Sequence, residues 1–442
     1  MQENTHLSDR GQMAAAKPLR MDMDIYMEAM SNRYHVSSKP DGTFPMTVAE
    51  NHLCWEMLRN KMQEISRNQE IPEWVASYGD PAGVLSFREA AADFLSGFLV
   101  KKTVDPNTIA CSVGATSVIE MTTFLLAESG DTAVIPAPSY PVYSADIGVM
   151  AGLKRYDLQT HHEVADLADG IPIQLSHLEE AKKEIEENGS RFRILILTSP
   201  DNPTGGIYSE NQLQEIADWC EKEKIHLIVN EIYGIARVNV QHPEIKKDYK
   251  NPIEFKSFGQ IMNERKSPFL HLWYSFSKDF GISGFRVGLL HTFNEALITG
   301  YRNIGLTHAI SNHTQWLMQE VLKDKDFVKE YFEKFQEALT LSYIKVNQTL
   351  KKLHIPFNPS YGSLFVWMDL SGLLENQTDE DQHQLWLEIF RQTGILLTPG
   401  NGFGHSKKGM FRIVITSVTH EELEVAMERF EKFYIEKNNE TN

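Results

Sequence analysis

Short branched and apolar runs alternate with amphipathic stretches through the middle of the chain. The runs 108–112, 132–135, 193–198, 226–229, 271–274 and 287–291 read as strands buried on both faces. Between them, 116–128, 178–187, 210–223 and 296–303 carry apolar residues at helical spacing. Strand and helix in alternation predict a mostly parallel sheet flanked by helices. Upstream, Leu53, Met57, Leu58 and Met62 predict a helix over 50–65, followed by the turn-rich loop Ser77-Tyr78-Gly79-Asp80-Pro81-Ala82-Gly83. After about residue 312 the pattern changes. A long helix over 326–353 precedes a strand at 363–368, a helix at 382–392, a strand at 411–415 and a last helix over 421–434. The expectation is an α/β chain with a large domain over 75–321 and a smaller α/β domain from 46–74 joined to 322–442. Residues 1–45 lack regular periodicity and are expected to form an N-terminal arm.

Composition narrows the function classes. With 442 residues, the chain is long enough for a substantial core and two domains. A net charge of -17 argues against a nucleic-acid backbone as partner. No apolar run approaches the roughly 20 residues that span a bilayer, and residues 1–17 lack the apolar stretch of a secretory signal. Cys54, Cys111 and Cys220 are few, odd in number and set in apolar surroundings. They read as reduced, buried thiols, and a cytoplasmic location is expected. No metal site is expected either, since the adjacent His161, His162 and Glu163 read as solvated.

The chemistry concentrates in Tyr274-Ser275-Phe276-Ser277-Lys278-Asp279-Phe280-Gly281-Ile282-Ser283-Gly284-Phe285-Arg286-Val287-Gly288. A lysine in a partly dry, anion-rich pocket loses its proton and can form a Schiff base with a carbonyl cofactor. The hydroxyls beside it, together with Arg286, suit a phosphate. The combination points to pyridoxal 5'-phosphate (PLP), against the plainer reading of a solvated loop at a strand end. Five further clusters fall at strand ends, where open parallel sheets bind ligands. Gly114-Ala115-Thr116-Ser117 opens a helix and offers free amides to a phosphate, unless Thr116 or Ser117 merely caps it. Tyr140, fixed between Pro138 and Pro141, can stack on a flat ring or simply pack. Asn202, in an Asn-Pro turn, can donate to a phenolic oxygen or a carboxylate. Asn230 and Glu231 end an apolar strand facing opposite ways, with Tyr233 in reach of the same ligand as Asn230. Arg412 lies inside the apolar strand Phe411-Arg412-Ile413-Val414-Ile415, where a substrate carboxylate or an internal ion pair must answer its charge. A Rossmann dehydrogenase is disfavoured, because no Gly-x-Gly-x-x-Gly follows the early strands.

In this order, the clusters resemble the class I/II aminotransferase family of fold type I PLP-dependent transferases, from about Met46 to Tyr434. Ala49-Glu50-Asn51-His52-Leu53, Tyr78-Gly79-Asp80-Pro81-Ala82-Gly83, Ser277-Lys278-Asp279-Phe280-Gly281 and Gly362-Ser363-Leu364-Phe365-Val366-Trp367-Met368-Asp369 are most similar to the branch containing 1-aminocyclopropane-1-carboxylate (ACC) synthases. The resemblance implies that Lys278 binds PLP and moves the proton at Cα. It implies a phosphate site made by Ser275, Arg286 and the Ala115–Thr116 backbone, and a ring stacked on Tyr140. Asn202 and Tyr233 would bond the phenolate oxygen, Asn230 would face the pyridine nitrogen, and Arg412 would bind the α-carboxylate. Ala49 and Glu50 match positions near the substrate, although Glu50 fits a helix's first turn equally well. The matching family tyrosine implies that Tyr78 reaches the phosphate of a partner subunit, hence a homodimer with shared sites. The implied activity is reaction at Cα of an L-amino acid through an external aldimine, as in aminotransferases. ACC synthase-like elimination from Cγ is the alternative, with S-adenosylmethionine as the plant-type substrate. A catalytically weak PLP-binding regulatory protein is the alternative from another class.

One position departs from the family, which almost always has Asp where this chain has Asn230. A carboxylate pairs with the pyridine nitrogen and keeps it protonated. A neutral amide forgoes the charge-assisted bond, which is about twice as strong as a neutral one.

Overall fold

The computed structural model describes residues 6–16, 22–161, 163–164 and 170–441. Seven strands form the main sheet: β1 (Ile109–Val113), β2 (Thr132–Ala137), β3 (Lys154–Gln159), β4 (Phe192–Thr198), β5 (His226–Asn230), β6 (Leu270–Ser275) and β7 (Val287–Thr292). Their order across the sheet is β1-β7-β6-β5-β4-β2-β3. The pairings from β3 through β6 are parallel, and β7 runs antiparallel to both β6 and β1. Every residue of β2, β5, β6 and β7 is buried, as expected of strands covered on both faces. A second, antiparallel sheet has the order β8 (Phe365–Asp369), β10 (Met410–Val414), β9 (Thr398–Pro399).

The helices follow local chemistry. Glu210–Glu223 starts at a reciprocal cap, with the Ser209 hydroxyl accepting from the Gln212 amide and the Gln212 side chain accepting from Ser209. The 28-residue helix Lys325–Lys352 begins where the Asp324 carboxylate accepts from the Phe327 amide. The last helix spans His420–Thr441.

Three expectations change. Residues 1–45 are not simply irregular, since they include the helices Asp9–Ala16 and Met23–Ser31. Edge strand β3 was hidden, because only Leu158 of its six residues is buried and its charged positions break the apolar signal. The helix placed over 50–65 begins later and runs Trp55–Asn68. Tertiary bonds hold the preceding backbone out of the helix: the Met46 carbonyl accepts from the Val414 amide at 3.0 Å, and the Glu50 carbonyl accepts from the Thr416 hydroxyl at 2.7 Å. Glu50 is therefore not a first-turn helix residue.

Cys111 and Cys220 are buried and Cys54 is half-buried, all as free thiols. Among the described residues, no helix is long and apolar enough to cross a membrane. Nor does any group of acids, histidines and cysteines among them have the makings of a metal site. His161 is buried beside His405 rather than solvated, Glu163 pairs with Lys407 at 2.5 Å, and His162 lies outside the described residues.

Buried histidines make this fold sensitive to acid. His226 Nδ1 lies 3.0 Å from His271 Nε2, whose Nδ1 lies 2.8 Å from the Thr292 hydroxyl. Burial depresses His226 to about 3 and His291 to about 4. Below about pH 6.5 the unfolded chain binds protons at these positions while the folded one does not. Their contribution to stability is thus complete above that pH and is lost progressively as pH falls towards 4 for His291 and 3 for His226. Thermal melts should fall over this range, and His226→Asn should make the fall shallower. An equally steep profile in the variant would contradict the assignment.

Candidate active site

The site is built where the ends of β1, β2, β4 and β5 meet the lysine turn after β6. A cavity of about 590 Å³ opens there. It brings together Ala49, Ala115, Thr116, Tyr140, Asn202, Asn230, Tyr233, Lys278, Arg286 and Arg412, residues scattered from one end of the sequence to the other.

Lys278 lies on the four-residue helix Phe276–Asp279, which begins as β6 ends. Its ammonium donates to the Ala49 carbonyl at 2.6 Å, and its own carbonyl accepts from Asn51 Nδ2 at 3.0 Å. Asp279 anchors this turn. Its fully buried carboxyl accepts from the Ile235 and Ala236 amides, at 3.1 and 3.0 Å, and from the Tyr274 hydroxyl at 2.9 Å. Burial raises Asp279 to about 7, although those bonds oppose the rise.

The wall beside the lysine is shaped for an anion. Gly114 (φ +85°) opens the helix Gly114–Leu126, and no side chain caps that end, so Thr116 and Ser117 are not its caps. First-turn amides without helical acceptors attract anions. Arg286, itself left-handed at φ +57°, lays its guanidinium where a Gly114 side chain would sit, and donates to the Ser283 carbonyl at 2.9 Å. Ser277 lines the cavity. Ser275 lies behind it, fully buried, with its hydroxyl bonded to the Val287 carbonyl and the Ser277 hydroxyl at 2.8 Å each. Ser275 thus supports the wall, and Ser277 forms it.

At the small sheet, Arg412 enters from β10. Its guanidinium donates to Asn202 Oδ1 at 2.7 Å and to the Thr47 carbonyl at 2.6 Å, with the Phe365 and Phe403 rings over it at 4.3 and 5.1 Å. Tyr233 is buried edge-on to Phe365, and burial raises its phenol far above the ordinary range.

On the strand floor, Asn230 Nδ2 donates to the Tyr143 hydroxyl at 2.9 Å, and Asn230 Oδ1 accepts from the Ile232 amide at 3.2 Å. Glu231 turns the opposite way, to Ser257 and the Phe258 amide, where burial pushes it up to about 8. Sequence reasoning missed Tyr143, Thr198 and Asp146, which also line the cavity. Tyr143 and Asp146 follow Tyr140 at helical spacing, a signal that was present but resembles ordinary packing.

Two expected residues stand elsewhere. Glu50 is not in the lining; it bonds His52 at 3.2 Å, and that bond holds its carboxyl below the usual range. Tyr78 is 95 % exposed and does not reach the cavity of its own chain.

PLP fits this donor set. One wall offers amides and a guanidinium to a phosphate, an aromatic face stands at Tyr140, and a primary amine reaches the same space. The Gly114–Arg286 contact leaves no room for a side chain, which keeps the helix amides open to a ligand.

The chain is similar to known proteins over most of its length. The family model for aminotransferase class I and II matches residues 45–430. An ACC synthase of Glycine max is 29% identical over 418 residues, covering 92% of this chain and 83% of the soybean protein. One from Prunus mume is 30% identical over 411 residues, covering 91% of this chain and 80% of its own. Among solved structures, an archaeal alanine:glyoxylate aminotransferase superposes with a TM-score of 0.79 at 18% identity, covering 99% of this chain and 100% of its own. A Thermus thermophilus aspartate aminotransferase double mutant gives 0.77 at 19% identity, covering 96% and 99%.

Gly114→Ala tests the anion wall. A methyl group there would lie 2.5 Å from an Arg286 nitrogen on a left-handed backbone. The methyl must push the Arg286 guanidinium off the wall, and losing one hydrogen bond to a charged group, worth about 1.5–3 kcal/mol, should lower PLP affinity about tenfold or more with the circular dichroism spectrum preserved. Unchanged affinity in a spectroscopic titration would contradict it.

Proposed function

Because the chain belongs to the class I and II aminotransferase family of PLP-dependent enzymes, we propose that it transaminates an L-amino acid by moving the proton at Cα. One observation carries the reading. Residues two apart on a single segment, Thr47 and Ala49, bond through their carbonyls to Arg412 and Lys278 respectively. A cation for a carboxylate and an amine for the neighbouring carbon are thereby held in one frame.

Bound PLP supplies an aldehyde for an amine and an electron-poor ring that delocalises the negative charge left at Cα. Ala115, Thr116, Ser277 and Arg286 would hold its phosphate, with Ser275 supporting Ser277. Tyr140 would offer a ring face, and Asn202 and Tyr233 would bond its phenolic oxygen. Arg412 would bind the α-carboxylate and so fix which Cα bond faces Lys278. The Lys278 amine would take the proton from the substrate Cα and return it elsewhere. On this reading, the 75–321 segment carries the cofactor, while 46–74 and 322–442 close over the substrate. Exposed Tyr78 would serve a partner subunit's phosphate, so the working unit is a homodimer.

A second reading is ACC synthase-like elimination from Cγ, favoured by the names of the curated relatives. Both readings share the Cα proton step and diverge in product. Purified protein given amino acids with 2-oxoglutarate should form the matching keto acids. Release of methylthioadenosine from S-adenosylmethionine, without keto acid, would replace transamination by elimination. Borohydride should fix PLP to Lys278; a protein that stays unlabelled would sink both readings. Lys278→Ala should slow Cα proton exchange by roughly a thousandfold or more. Asn230→Asp, which places a carboxylate on the strand floor, should alter the bound cofactor's absorbance.

A further inference from the structure

The strand floor of the cavity is nearly neutral. Asn230, Tyr143 and Thr198 satisfy one another there, and the amide of Asn230 has no proton it can release. Three residues beyond Tyr143, on the helix Tyr143–Gly148, Asp146 lines the same cavity. It is only 5% exposed, and its Oδ2 meets no hydrogen-bond partner. A buried carboxyl oxygen left unsatisfied is destabilising, so a ligand that completes it is the physical expectation. The other carboxyl among the described lining residues, Asp22, accepts from the Thr47 hydroxyl on the Arg412 side.

We propose that Asp146 is the acid that protonates the ring nitrogen of PLP in this chain, a role that the neutral Asn230 cannot fill. In this step the Asp146 O–H bond breaks and an N–H bond forms on the ring. The carboxylate remains as the counter-ion of the pyridinium, with no oxidant or further reactant involved. The groups around Asp146 suit this. Its helix packs on Gly114–Leu126 and on β3. From the first comes Glu120, which is bonded to His308 Nε2 at 2.9 Å. From β3, Arg155 is engaged with Asp157 at 2.8 Å, Tyr156 with Glu184 at 2.6 Å, and Lys154 is exposed. Burial, with the Glu120 charge adding to it, raises Asp146 to about 7, where it can hold and release a proton near neutrality.

The inference rests on the PLP reading above, and its test separates the two. Full-length protein is loaded with PLP, its absorbance is titrated across about pH 6 to 9, and the PLP dissociation constant is measured. Asp146→Asn should move the midpoint of the cofactor's spectral transition by about one unit or more and weaken PLP binding about tenfold. Placing Asn230→Asp in the same chain should restore both, because a carboxylate then stands on the strand floor. If Asp146→Asn does not fold, Asp146→Glu carries the test, since it keeps the acid but shifts the midpoint. A variant that melts lower yet keeps the wild-type midpoint and affinity would show a packing role and overturn the proposal. So would a midpoint that Asn230→Asp fails to restore. If wild-type protein takes up no PLP, the underlying reading fails and this inference falls with it.

Discussion

The site depends on the buried carboxyl of Asp279. It joins three pieces of chain that have no covalent reason to meet: the loop after β5 through two amides, the end of β6 through Tyr274, and the lysine turn that carries it. Two backbone amides and a phenol, all buried, would each be left without a partner if it were absent. Because the acid adjoins Lys278, the bonds that satisfy it also fix where the lysine backbone leaves the sheet. Asn51 completes the clamp from the other side through the Lys278 carbonyl.

The same logic orients Asn230. Its two amide ends look alike in outline, but the Ile232 N–H demands an acceptor and so claims Oδ1. Nδ2 must then face the Tyr143 hydroxyl. Burial raises that phenol to about 12, which keeps it protonated, and it shares a hydrogen bond with the Thr198 hydroxyl 3.0 Å away. The result is a chain of neutral dipoles with set directions. Such a chain can position a ring nitrogen, but it cannot donate a full charge to it.

Much of this was legible in sequence because parallel sheets place chemistry at strand ends. Apolar runs such as Ile194–Leu197 cannot be solvated, so they mark strands, and the polar residues that follow them mark the site. Asn202, Asn230, Lys278 and Arg286 were visible for that reason. β3 was not, since an edge strand with exposed Lys154 and half-buried Arg155 carries little apolar signal. The late start of the helix at Trp55 was invisible as well, because only distant residues, Val414 and Thr416, hold the preceding backbone out of it. Ser275 and Ser277 could not be ranked by spacing. Which hydroxyl faces the cavity is decided by the Val287 carbonyl, which captures Ser275. Asp146 was missed because a single acid near a helix start is ordinary at a surface, and only the fold shows that this one is buried.

Arg412 shows how the two ends of the chain make one receptor. Its guanidinium is planar, so acceptors on its edge and rings on its faces together fix its orientation. Asn202 and Thr47 supply the edge contacts, and Phe365 and Phe403 supply the faces. Ordering a free arginine when a ligand arrives would cost part of the binding energy, whereas here the protein has already met that cost in folding. Thr47 lies two residues from Ala49, whose carbonyl receives the Lys278 ammonium. The segment leading into the Trp55–Asn68 helix therefore positions Arg412 and Lys278 together, and any shift of that segment moves both at once. On the proposed reading, a frame of this kind would select for the α-amino acid unit itself. Discrimination among side chains is left to the remaining walls of the cavity.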